Sequence, residues 1–448
     1  MRKTKPPFND ERSQTILNNY GKDFCAAPWT SLHEGPKGLV STCCKSRDPI
    51  GWSHQQSFEE MYNNPFIKEV RKQILNGEKP KQCAGCYDHE INSIPSGNRR
   101  NSNVKSYETI DELVEITEDD GTLPYQKPTW LDLLWSNKCN FACLGCSPSL
   151  SSTIEKNYSD IFHYLHFYKK IEVGQSEQVF MGGGWHNTNY RKIEYILKHK
   201  DTIRLLHLNG GEPFLQDGVY ELLDVLIKEN LTKKIGIWCH TNGSINRFKG
   251  KDLVKDYLSH WDDNCRITMS LDHYGKRGEF IRYGYKENKW WQTFKKLTDT
   301  NIEVTIQICY NLFNCTTFYD FVKNLIDTIG KDLSVIPHIG IKLKFGIWHH
   351  PRPFAAEMTL LDKDLNQKAK EELEKVYEMK TLNHEAKRQV HANLYHTLEG
   401  EMPLWQAQEL GKVFVDTVDK LDEKRNVKFH DSFPELHYFY EKCKTLNK

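Results

Sequence analysis

Residues 129–146 read TWLDLLWSNKCNFACLGC. The first seven are an apolar run of strand composition. A polar break, Ser136-Asn137-Lys138, follows, and then three cysteines, Cys139, Cys143 and Cys146, fall within eight residues. A strand running directly into a cysteine loop sets the reading of what comes after it. Short apolar runs recur at 203–210 (IRLLHLNG), 234–243 (KIGIWCHTNG), 266–272 (RITMSLD), 303–311 (EVTIQICYN) and 341–348 (IKLKFGIW). Helical patterns lie between them, at 218–230 and 317–330 among others. Strand–helix alternation predicts parallel βα units. Six such units predict an α/β fold, a partial (β/α)6 TIM-like barrel over 129–348. Barrel active sites sit at the C-terminal ends of the strands, and the polar residues fall there: SNKC, NGGEP, HTNG, SLDHYG and YN end strands one to five.

The remaining segments follow from composition. Residues 1–105 form a cysteine-bearing N-terminal domain, 106–128 a polar, acidic linker, and 349–448 a helical C-terminal extension. The stretch 147–200 reads as an insertion near the barrel mouth. Its MGGGWHN (181–187) lacks the trailing Lys-Ser/Thr of a phosphate loop and is taken as a turn.

The chain of 448 residues is 38% hydrophobic and 12% aromatic, enough for a sizeable core. Its 61 Lys plus Arg balance 60 Asp plus Glu, so no global field draws nucleic acid or an acidic membrane. No window approaches the roughly eighteen apolar residues of a spanning helix, and the N-terminus lacks the apolar run of a secretory signal. Thirteen cysteines, seven of them in close groups, then read as metal ligands in a reducing, cytoplasmic compartment rather than a disulfide framework.

Three thiolates in C-x3-C-x2-C leave one position of a four-ligand metal group open. With Gly210-Gly211-Glu212-Pro213 after the second strand and Ser270-Leu271-Asp272 after the fourth, the chain resembles the radical S-adenosylmethionine (SAM) enzymes. The resemblance implies that Cys139, Cys143 and Cys146 hold a 4Fe–4S cluster whose open iron is chelated by SAM. It also implies that SAM is cleaved to a 5′-deoxyadenosyl radical that abstracts hydrogen from substrate. Gly210, Gly211, Glu212 and Pro213 then bind SAM, Glu212 through the ammonium. Ser270 and Asp272 face the ribose or carboxylate, and Asn311 lies near the adenosine. Arg282 is a weaker candidate for the SAM carboxylate, with a surface helix arginine as its bland alternative. Many family members place an aromatic residue before the third cysteine. Here that residue is Gly145, so adenine contacts fall to Phe141 or the end of strand three.

A second set lies upstream. Cys25, Cys43, Cys83 and Cys86 supply four soft ligands, a closed site that suits structural zinc or a cluster. The C-x12-G-x4-C spacing of Cys25, Gly38 and Cys43 resembles the SPASM and twitch auxiliary-cluster domains, and KLDEKRNVKFHDSFPEL at 420–436 resembles the C-terminal signature of a twitch-domain group with an N-terminal auxiliary module. This resemblance implies a second 4Fe–4S cluster, placed here before the barrel instead of after it. Spacing selects Cys43 over Cys44. Cys309 shares a strand face with Asn311; it is weighed as a hydrogen-atom donor against a small buried hydrophobe. Cys239 carries the same argument more weakly, and His349–His350 is a weak metal candidate.

The expected function is radical SAM chemistry on a peptide or protein side chain, with a small metabolite as the alternative substrate. A flavodoxin- or ferredoxin-type electron donor is the implied partner. A non-enzymatic iron–sulfur or zinc protein is the rival class. Action on nucleic acid is disfavoured by the balanced charge.

Overall fold

The computed structural model describes residues 10–46, 48–91, 97–166, 184–330, 341–347 and 351–446. Thirteen strands run through them: β1 (Ser31–Glu34), β2 (Leu39–Ser41), β3 (Gly51–Trp52), β4 (Trp130–Leu134), β5 (Ala142–Cys143), β6 (Leu205–Asn209), β7 (Gly236–Thr241), β8 (Arg247–Phe248), β9 (Lys251–Asp252), β10 (Cys265–Ser270), β11 (Arg282–Tyr283), β12 (Glu303–Tyr310) and β13 (Ile341–Ile347). Each of the six expected barrel strands is present. The fold is α/β, with parallel strands and intervening helices. The chain divides into two compact units.

The described residues of the first unit are 10–46, 48–91, 97–137 and 184–239. Here β1, β4, β6 and β7 run parallel in that order, and β2 and β3 extend the edge antiparallel. The hairpin edge was not foreseen: β1 to β3 come from the cysteine-bearing N-terminal segment, and β1 pairs with the first barrel strand. Every residue of β4 is buried, which is why WLDLL carries no alternation. The helix Asp217–Lys228 follows β6 and buries Val219, Leu222, Leu223 and Leu226 at helical spacing. Lys192, 2% exposed, enters the unit from helix Asn189–Lys198. It is neutralised by Glu34 at 2.9 Å and donates to the Leu134 carbonyl at 2.7 Å, as a buried charge requires. The segment expected as a linker holds a helix, Ile110–Glu115, with Ile110 and Leu113 buried.

The second unit has described residues 138–166, 240–330, 341–347 (β13) and 351–446. In it β10, β12 and β13 are parallel neighbours, β5 pairs with β11, and β8 with β9 forms a small hairpin. Along β12 burial alternates, with Val304, Ile306, Ile308 and Tyr310 inside, the period-two signature of a strand with two unlike faces. The helix Phe318–Ile329 ends at Gly330, whose φ of +68° suits glycine. The C-terminal extension is helical as expected, but it is core. The helix Leu404–Lys424 buries Leu410, Phe414, Val418 and Leu421 in one cluster with Leu144, Phe280 and Phe313. The Lys363–Glu378 helix presents a solvated face with one exception: Glu372 is buried and accepts the Tyr319 N–H at 3.0 Å. Part of MGGGWHN, and His349–His350, lie outside the described residues.

Candidate functional site

In the second unit the loop carrying Cys139, Cys143 and Cys146 is held from several sides. At its start, Cys139 N–H donates to Ser152 Oγ (3.1 Å), and Thr153 Oγ1 donates to the Cys139 carbonyl (2.7 Å). Ser151 Oγ donates to the Phe141 carbonyl at 2.6 Å, and the Phe141 N–H points at Cys139 Sγ at 3.5 Å. In the middle, Cys143 stands opposite Arg282 in the β5–β11 ribbon. Behind the ribbon, Arg425, 1% exposed, donates to the carbonyls of Ala142 (2.7 Å) and Phe280 (3.2 Å) and lies over the rings of Tyr158 and Tyr283. Gly284 has φ +108°, and a Cβ there would fall 2.8 Å from Phe141 Cδ1 and 2.9 Å from the Asn140 carbonyl. No other residue fits without moving the loop.

Arg282 is neither on a helix nor on the surface. It lies in β11, its side chain 13% exposed, with Nε 2.8 Å from the buried Asp272 carboxylate and Nη1 3.9 Å from Cys143 Sγ. Burial works against its charge, but Asp272, Cys143 and Cys309 together hold it protonated. Asp272 is engaged twice, accepting the Cys309 N–H at 2.7 Å as well. Burial pushes the Cys146 thiol up to about 12, with Cys143 adding to the effect. A thiol in that state becomes a thiolate ligand only when a cationic group supplies the compensating charge.

Other expected site residues take structural positions. Asn311 is fully buried and clamps its own loop, donating to the Cys309 carbonyl (2.8 Å) and accepting the Phe313 N–H (2.9 Å). Ser270 ends β10, and its carbonyl accepts the Trp290 indole N–H at 3.0 Å. Cys309 is half-buried on the same face of β12 as Gln307. Phe141 is 1% exposed and packed under Gly284, so its ring is not presented to a ligand.

In the first unit Gly210 has φ +130°, and a Cβ would meet the Ser136 carbonyl at 2.6 Å. Gly211 N–H donates to that carbonyl at 3.0 Å. Buried Glu212 caps the 3₁₀ turn Pro213–Leu215 by accepting the Phe214 N–H at 3.2 Å. Cys25, Cys43, Cys83 and Cys86 line a single cavity together with Lys45, Tyr87 and Arg99. The exposed Cys44 is not in its lining. Burial raises Cys25 and Cys83 to about 12 each. Among the described residues no three His, Cys, Asp or Glu side chains are set to hold one metal ion.

Both donor sets supply the soft ligands that an iron–sulfur group takes. Residues 133–314 match the Radical SAM superfamily, and residues 25–87 match SPASM, an iron–sulfur cluster-binding domain. The chain thus carries a Radical SAM domain, with a SPASM domain ahead of it in sequence. Those two domains imply a 4Fe–4S cluster, SAM and an auxiliary iron–sulfur cluster. Among solved structures the chain is similar to native anSMEcpe with bound AdoMet, at 14% identity over 56% of this chain and 60% of that one, TM-score 0.33. It is also similar to Streptococcus suis SuiB bound to S-adenosylmethionine, at 13% identity over 69% and 64%, TM-score 0.36. The chain therefore spans about 60% of the length of the first of these.

Two supports of the site were not read from sequence. Arg425 sits inside the 420–436 stretch that carried the family resemblance, yet its partner Ala142 is 283 residues away. Glu435 of the same stretch binds Arg277 through both oxygens and accepts from Thr316 Oγ1 at 3.3 Å.

Proposed function

We propose that the chain is a radical SAM enzyme that reductively cleaves S-adenosylmethionine and abstracts hydrogen from an organic substrate. Cys139, Cys143 and Cys146 hold the SAM-binding cluster, and Cys25, Cys43, Cys83 and Cys86 hold the auxiliary cluster. When bound, the first cluster supplies the electron that breaks the SAM sulfonium and yields the 5′-deoxyadenosyl radical. The chain's own residues do the rest. The ribbon and Arg425 fix the loop that presents the thiolates. Arg282 places a permanent cation beside Cys143, which favours the thiolate over the thiol. Asp272 orients Arg282. Glu212 offers a buried carboxylate suited to an ammonium, and Gly210 and Gly211 keep side chains out of its surroundings.

The observation that carries this reading is the built cysteine loop, with its sulfur-facing arginine held by a buried carboxylate. The substrate class is a peptide or protein side chain, or a small metabolite. The helix Leu404–Lys424 gives its apolar face to the protein's own core, so it supplies no groove wall and lends the peptide no support. A flavodoxin- or ferredoxin-type donor supplies the electron. The experiment is anaerobic reconstitution of the full chain, addition of SAM and dithionite, and detection of 5′-deoxyadenosine. Replacing Cys139, Cys143 or Cys146 with Ala removes that product. Retention of it in any of the three variants breaks the assignment.

A further inference from the structure

Helix Lys363–Glu378 and the π-helical turn Val390–Leu394 pack together in the second unit and enclose a cavity of about 350 Å³. Leu373 and Val390, each 1% exposed, give it apolar surface. Three rings also line it, those of Tyr377, His391 and Tyr395, and so do two carboxylates, Glu374 and Glu378. A π turn is a rare widening of the helix, found often at functional sites. Here it sets the His391 and Tyr395 rings, four residues apart, with their planes 10° from parallel and their centroids 6.2 Å apart. The long helix brings the Tyr377 ring to 5.7 Å from His391.

The charges of the cavity are placed against the grain of the helix. Glu374 and Glu378 stand one turn apart, where like charges repel. They also fall at the C-terminal end of the helix, where the backbone dipole is already negative. Nearby cations are engaged elsewhere: Lys375 pairs with Glu372 at 2.9 Å, and Arg388 with Glu385 at 2.8 Å. Glu374 accepts from the Tyr395 hydroxyl at 3.5 Å, a long contact that leaves its charge in place. The Lys387 ammonium lies over the Tyr377 ring at 5.8 Å, close to the outer limit of a cation–π contact, and is not part of the cavity lining. Tyr377 is 45% exposed, so a ligand reaches its ring from solvent.

We propose that this cavity binds the side chain of a lysine presented by a peptide. Ring faces and carboxylates both attract a cation. The cation is organic, because no three His, Cys, Asp or Glu side chains among the described residues are set to hold a metal ion. A lysine joins a compact ammonium with three donors to a four-carbon stem. The stem covers the apolar surface of Leu373 and Val390, and the ammonium meets Glu374 and Glu378 from successive turns. A guanidinium suits the site less, since its planar fork pairs best with a single carboxylate. The volume lies at the low end for ligand sites, which fits one side chain and not a cofactor. The inference stands apart from the proposed radical chemistry.

The test uses the full, cluster-loaded chain and ligand-observed saturation-transfer NMR at low salt, where exposed charges are screened least. The probe is Nα-acetyl-lysine-amide. Nα-acetyl-norleucine-amide, which keeps the carbon stem and lacks the ammonium, is the control. The lysine probe binds, and the norleucine probe binds about tenfold more weakly or not at all. The double variant Glu374→Gln/Glu378→Gln loses about tenfold in affinity for lysine, the size of two exposed ion pairs together. Tyr377→Ala weakens binding severalfold, and Tyr377→Phe restores it, because a phenyl face also attracts a cation. Each variant is first matched to wild type by its melting curve. Equal binding of the two probes makes the cavity a plain apolar groove and overturns the proposal. So does a lysine probe that does not bind wild type, or one that binds the folded double variant as tightly. Failure of wild type to form 5′-deoxyadenosine sinks the radical reading instead, and leaves the lysine result standing.

Discussion

Arg425 shows how much of the cysteine loop's shape rests on one residue far away in the chain. Its guanidinium is buried and holds the Ala142 and Phe280 carbonyls. Arg425→Met leaves both carbonyls without that donor, and each unsatisfied buried group costs on the order of 1–3 kcal/mol. The expected loss is about 2–4 kcal/mol in denaturant unfolding, with fewer irons retained per chain after reconstitution. A stability within about 0.5 kcal/mol of wild type, the range of a neutral surface change, means the clamp is dispensable. Asp272→Asn strands Arg282 in a buried setting, where breaking one partner of an ion pair typically costs about 3–5 kcal/mol. The same variant weakens SAM cleavage, because Arg282 loses the group that orients it beside Cys143. Unchanged product formation rules out that positioning role.

Elements show where sequence is informative and where it is not. The barrel strands are legible because each is a short apolar run followed by a polar rim and a helix. β12 adds a clean alternation. The edge strand β1 is not legible. It is four residues long, SLHE, inside a stretch dense in Cys, Pro and Gly, and pairing with β4 is what makes it a strand. β12 stops at Tyr310, so the period-two face that Cys309 was to share with Asn311 ends one residue early. Arg282 was only a weaker candidate with a surface helix as its alternative, because its two-residue strand exists only by pairing with β5. At Gly284 the local backbone makes a sharp prediction. Gly284→Val puts a branched side chain at φ +108° against Phe141, and the loop must shift. Iron content after reconstitution falls by about half, one cluster of two, while the auxiliary cluster's electron paramagnetic resonance signal stays. Full iron content shows that the loop tolerates the shift.

The C-terminal elements act on the whole molecule through acid stability. Arg277 and Glu435 join the turn Pro434–Leu436 to the helix Gly275–Ile281 that leads into β11. Burial pushes the Glu435 carboxyl up, but Arg277 and Thr316 outweigh it and leave it below its ordinary 4.5. A carboxyl depressed in the folded state contributes stability that is present above its unfolded value and lost as pH falls through the folded one. The melting temperature of wild type therefore drops below about pH 4.5 more steeply than that of Glu435→Gln. Parallel pH profiles show that the pair contributes nothing. The apolar cluster of the second unit surrounds the same elements, so the C-terminal extension serves as the structural backing of the cysteine loop. Its composition marked it as helical, but only the structure shows what it packs against.

The central claim is that two cysteine sets hold two clusters and that one of them cleaves SAM. The most direct measurement is a single anaerobic experiment on the full chain, counting iron and sulfide and then following 5′-deoxyadenosine after addition of SAM and dithionite. The account predicts about eight iron per chain and steady formation of 5′-deoxyadenosine. An intact cluster that forms no 5′-deoxyadenosine contradicts it, and makes the chain an iron–sulfur protein that is not a radical enzyme.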